Sequence, residues 1–65
     1  MMSTFEAVGI AEGFVPADSE DQVIQAWQHL VDTGMAWQLQ GSFGRTAIRM
    51  IEDGILTSPF SKNSN

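Results

Sequence analysis

His29 and Asp32 stand three residues apart, a spacing that sets a base and an orienting acid near one another on a helix. Beside a serine or threonine they would be the start of a nucleophilic site: the imidazole takes the hydroxyl proton and the carboxylate holds the ring. Two pairs of neighbouring carboxylates, Glu20-Asp21 and Glu52-Asp53, are the raw material of general acid–base chemistry. Adjacent side chains diverge by about 100° on a helix, so neither pair converges on one substrate atom. The stretch GSFGRT, residues 41 to 46, puts two glycines and a serine ahead of an arginine, the makings of an anion site at a helix N-terminus. It has neither the phosphate-loop spacing nor the dinucleotide glycine pattern, and no strand precedes it. Arg45, Thr46 and Arg49 complete the set as the polar side chains that a helix-turn-helix would carry into a DNA groove.

Most of this chemistry is disfavoured by its surroundings. His29 and Asp32 fall on a polar helix face where solvation is the ordinary state, so the chain is not expected to be an enzyme. One histidine and no cysteine leave no zinc site and no disulfide, and no cofactor is expected. The net charge is −5, with only three lysines and arginines in 65 residues. Phosphate-backbone binding needs several clustered bases, and here Glu52 and Asp53 follow Arg45 and Arg49 on the same helix. Nucleic acid is therefore the third-ranked partner. The chain contains no apolar run of about 18 residues, so no membrane span is expected. Its opening, MMSTFEAVGIAEGF, lacks the basic region of a signal peptide, and a cytoplasmic location is expected.

The elements that would hold these residues are helical. Ser19 followed by Gln22 fits a capping box, and Glu20 and Asp21 suit the positive end of a helix dipole. Val23, Ile24, Ala26, Trp27, Leu30 and Val31 then fill one arc, with Gln22, Gln25, Gln28, His29 and Asp32 on the other. Thr33-Gly34 ends this helix, which spans 20–32. In SFGRTAIRMIEDGIL, Phe43, Ala47, Ile48, Met50 and Ile51 share a face opposite Arg45, Thr46, Arg49, Glu52 and Asp53. Ser42 is the expected N-cap, Gly54 the terminator, and Ile55 the residue that folds back on the last turn. Between them MAWQLQG is read as a helical segment over 35–40, continuing to 53 with a break near Gly41. The glycines there are expected to permit tight helix–helix approach. The prediction is an all-α single domain, a helical hairpin or three-helix unit with helices at 20–32, 35–40 and 43–53. Residues 1–18 are read as an irregular arm in which a short helix or strand is left open, 19–56 as the helical core and 57–65 as a disordered tail.

The triplet Ala-Trp-Gln occurs at 26–28 and again at 36–38. No longer self-similarity surrounds it, so it is not an internal repeat. Trp27 and Trp37 are instead expected in the core with Val23, Leu30, Val31, Leu39, Phe43, Ala47 and Ile51, their indoles served by the neighbouring glutamines. A core this small usually supplies only about 3–5 kcal/mol, so a symmetric homo-oligomer is expected. Phe5, Val8, Ile10, Phe14 and Val15 of the arm are read as packing onto a partner. The polar residues most suited to partner binding are Glu12, Asp18, Glu20 and Asp21 near the first helix, and Arg45, Arg49, Glu52 and Asp53 on the last.

AWQHLVDTGMAWQLQGSFGRTAIRMIEDGIL, with IAEGF upstream, resembles a family of very short uncharacterised proteins of bacteriophages and some bacteria. Their pattern runs A-W-Q-x-L-x-D-T-G, then W-x-L-Q-G-x-F-G-R-x-A, then L-I-E-x-G. The match holds at Ala26-Trp27-Gln28, Leu30 and Asp32-Thr33-Gly34. It resumes at Trp37, Leu39-Gln40-Gly41, Phe43-Gly44-Arg45 and Ala47, and ends on Ile51-Glu52 and Gly54. Met50 departs from the usual leucine, and the arm before residue 19 is less characteristic. The resemblance covers about half the chain and implies no activity. What it implies is a context: a small phage-type protein acting on a host protein, as a host-takeover or counter-defence factor.

Overall fold

The computed structural model describes residues 2–39 and 41–57. Within them the chain forms four helices: α1 (Thr4–Glu12), α2 (Glu20–Thr33), α3 (Met35–Gln38) and α4 (Gly41–Glu52). The all-α class holds; of the expected tail over 57–65 only Thr57 is described, and 58–65 lie outside the described residues. No described helix is long and apolar enough to cross a membrane.

The first helix corrects the expected irregular arm. Ser3 caps it, its hydroxyl accepting the Glu6 N–H at 3.1 Å. At the other end Gly13 adopts φ 86°, a left-handed conformation that glycine reaches without a Cβ clash. There the Gly13 and Phe14 N–H groups close onto the Ile10 and Gly9 carbonyls at 3.1 and 2.9 Å. The chain then doubles back so tightly that a Cβ on Gly9 would lie 2.5 Å from Val15 Cγ2. Ala7 and Ile10 enter the core, so Ile10 serves this chain's own interior rather than a partner's.

Around α2 the expected signals act almost as anticipated. Ser19 Oγ accepts the Gln22 N–H at 3.3 Å, but the Gln22 side chain reaches one residue past the cap, to the Asp18 N–H at 2.6 Å. Ala26, Trp27, Leu30 and Val31 are buried, and Val23 and Ile24 pack partly buried against them. The helix stops at Gly34, φ 82°. The rod that follows breaks at Leu39, whose extended backbone (φ −82°, ψ −170°) separates α3 from α4. Ser42 is consequently the second residue of α4 and not its cap. A Cβ on Gly44 would meet Trp37 at 3.4 Å, ordinary contact distance, so no close helix approach depends on that glycine.

Backbone packing runs in chain order, α1 on α2, α2 on α3, α3 on α4. Side chains add the link that closes the domain: the Trp27 ring of α2 lies 5.5 Å from the Phe43 ring of α4, tilted by 36°. Of the anticipated core, Trp27, Leu30, Val31, Phe43 and Ala47 are buried, and Val23, Leu39 and Ile51 are partly so. Trp37 is the exception. It is 39 % exposed, because the break at Leu39 turns α3 so that Ala36 faces inward and the indole lies along the outside, over Gly44. Past α4, the Gly54 and Ile55 N–H groups close onto Ile51 and Met50, yet Leu56 rather than Ile55 is the residue buried by that turn.

Three substitutions check this arrangement by urea denaturation. Trp27→Ala is expected to cost about 3–5 kcal/mol and leave the domain largely unfolded. Trp37→Ala should cost about 1 kcal/mol and keep the helical circular dichroism signal. Gly44→Ala should stabilise by up to about 1 kcal/mol, since it adds helix propensity where the methyl fits. A destabilised alanine at 44 would show that the Trp37 packing is tighter than drawn.

Candidate functional site

His29 and Asp32 do not form a catalytic pair. The His29 Nε2 meets the Thr4 hydroxyl at 2.9 Å, half-buried between α1 and α2. A hydroxyl donates to a neutral imidazole nitrogen and accepts from a protonated one, so this bond serves either state of the ring. Asp32 Oδ1 instead accepts the Gln28 amide at 3.0 Å, and the acid does not orient the base. The contact therefore reads as a tie between two helices. Among the described residues no three of His, Asp and Glu cluster closely enough to hold a metal ion.

Gln28 has a role that periodicity could not show. Its Nε2 donates to the Thr57 carbonyl at 2.8 Å, and its Oε1 accepts the Thr57 N–H at 2.9 Å. One carboxamide thus pairs with a whole backbone unit 29 residues away, much as a neighbouring strand would. It holds down the turn that buries Leu56.

The structure separates the acidic candidates from one another. Glu12 stands at the rim of a groove of about 510 Å³ between the end of α1 and the start of α4. Trp27 and Phe43 form the floor of this groove, Ala11 and Phe14 one wall, and Ser42 and Thr46 the other. Glu20 borders a second, more apolar groove of about 480 Å³ with Val23, Ile24, Met50 and Ile55. Asp18 and Asp21 are exposed around the α2 cap. By contrast Arg45, Arg49, Glu52 and Asp53 do come together, on the outer side of α4 around Ile48. The Arg45 guanidinium turns back towards the first turn of α4, 3.8 Å from where a Cβ on Gly41 would sit.

Large apolar side chains on the outside complete the inventory. Phe5 is 90 % exposed and Phe14 81 %, flanking α1 at its two ends. Trp37 and Ile48 lie on the α4 side. Among the described residues these grooves are open to solvent rather than enclosed.

The Gln28 clamp can be probed directly. Gln28→Ala should cost about 1–2 kcal/mol, the net worth of two hydrogen bonds. Amide exchange at Thr57 should speed up with the rest of the domain intact. Unchanged exchange at Thr57 would show that Leu56 alone holds the turn.

Comparison with family models matches residues 17–61 to a domain of unknown function, DUF7417. No curated protein and no solved structure matches the chain. The matched span contains α2, α3 and α4, and α1 precedes it. On that match the chain belongs to the DUF7417 family.

Proposed function

We propose that this domain is a protein-binding module, docking a segment of another protein across the groove between α1 and α4. The observation that carries this reading is the pair of phenylalanines flanking α1, exposed at 90 % and 81 %, one of which walls a groove floored by two aromatic rings. A small domain gains nothing by holding such rings in water, and exposed apolar patches next to polar rims are the usual mark of interaction sites. Glu12 at the rim, with Asp18, Glu20 and Asp21 nearby in the chain, favours a partner that is apolar at its centre and basic around it. The resemblance to short bacteriophage proteins suggests a host protein as that partner and a host-takeover or counter-defence role as the outcome.

The test is capture from a bacterial lysate on immobilised wild-type domain, in parallel with Phe14→Ser and with the pair Glu12→Lys, Asp18→Lys. All three positions are exposed, so each variant is expected to fold. A protein retained by the wild type and lost from Phe14→Ser supports the reading. For that protein the lysine pair should slow association about tenfold at low salt, the gap closing as salt is raised. A partner whose retention ignores all three changes would place binding elsewhere on the domain. Recovery of nucleic acid alone would favour a helix-turn-helix-like use of Arg45 and Arg49.

A further inference from the structure

A helix favours acids at its start and bases at its end. In α4 Arg49 of the last turn suits that rule, but Glu52 in the same turn and Asp53 just past it oppose it. The same chain follows that rule in α2, where Glu20 and Asp21 occupy the first turn. The side chains of Arg45, Arg49, Glu52 and Asp53 lie together on the outer side of α4.

Four of the residues make a single stripe. Positions 45, 48, 49 and 52 are related as i, i+3, i+4 and i+7, so Arg45, Ile48, Arg49 and Glu52 line one edge of the helix. At its middle Ile48 is 49 % exposed. Beside it the Trp37 indole lies over Gly44, one turn back from Ile48 on the same side, and adds a second exposed apolar group. The stripe therefore begins on Arg45, passes through Ile48 and Arg49 and ends on Glu52. Reversed on itself, it sets its positive start against its negative end.

We infer that a second copy of this chain covers the stripe, α4 against α4 in antiparallel sense about a two-fold axis passing near Ile48 and Arg49. Arg45 and Glu52 are separated by about 10 Å along the helix, so an axis at the midpoint sets each Arg45 opposite the partner copy's Glu52, twice over. Ile48 then faces the aliphatic stem of Arg49 across the axis, and Trp37 closes the flank. The two helix dipoles also run oppositely in this pair, which places each Arg45 by the C-terminal end of the neighbouring helix, the end that suits a base. Apolar contact at Ile48 and Trp37 supplies the attraction, and the charges select the register and the antiparallel sense. This contact is separate from the groove between α1 and α4, and it lies wholly within residues 17–61 that match the family model.

The interface is small, so the dimer should form and dissociate across protein concentrations of about 10 μM to 1 mM. Sedimentation equilibrium over that range reads it. Arg45→Glu and Glu52→Arg, each alone, put like charges opposite one another and should weaken dimerisation at least tenfold, with the helical signal unchanged. Mixing the two single variants restores both opposite-charge pairs, and a heterodimer should reappear at wild-type strength. Ile48→Asp should give a monomer, whereas Phe5→Ser and Phe14→Ser should leave the dimer as it is. A wild-type chain that stays monomeric at 1 mM overturns the inference. So does a dimer that ignores both charge reversals, or a mixture of the two variants that fails to associate.

Discussion

The fold depends on one contact between two rings. Trp27 and Phe43 meet at 5.5 Å, a side-chain contact that brings α4 back onto α2 across the short α3. Each ring removes about 150–250 Å² from water, which at about 25 cal/mol per Å² is of order 4–6 kcal/mol as an upper bound. A core in a chain this short yields about 3–5 kcal/mol in total. The rings therefore count for as much as the whole domain has to spare. With no cysteine in the sequence, no disulfide can share that task.

Around the rings the core is built from small residues. Ala7, Ala26, Ala36 and Ala47 are all fully buried, one from each helix, and Leu30 and Val31 are the only larger side chains buried as completely among the described residues. Small buried alanines let helix axes come close, which suits four short helices packed around a small core. The large apolar side chains Phe5, Phe14, Ile48 and Ile55 stay outside this core, on the surface.

Particular residues show how far this was readable from the sequence. For α2, Ser19 and Gln22 at one end, Gly34 at the other and an unbroken apolar arc between them all agree, and the helix forms where they place it. The first helix carries comparable punctuation in Ser3, Glu6 and Gly13, but its apolar residues are scattered around the axis and periodicity is silent. Trp37 was misplaced because α3 is four residues long, too short for a period to distinguish inside from outside. The Gln28–Thr57 clamp joins residues 29 apart, and no local pattern signals it. Among the candidate site residues, Arg45, Arg49, Glu52 and Asp53 gather as their spacing on one helix requires. Glu12, Asp18, Glu20 and Asp21 are close in the chain but divide between two grooves and a cap, because the turn at Gly13 and Val15 sends α1 and α2 in different directions.

The boundary of the family match then acquires a structural meaning. Residues 17–61 contain the ring pair and the α4 stripe but not α1, which lays Ala7 and Ile10 into the core and ties Thr4 to His29. An α2–α4 unit without such a helix would expose the flank of α2 that α1 covers, together with one side of the Trp27–Phe43 pair. Exposed apolar area of that kind does not stay in water; another segment or another protein must cover it. In this chain α1 does so, and it carries Phe14 to the edge of the groove while doing so. The piece that seals the core is thus the same piece that shapes the proposed docking groove. A change in α1 alone can reshape the proposed docking groove while the ring pair and the α4 face stay as they are.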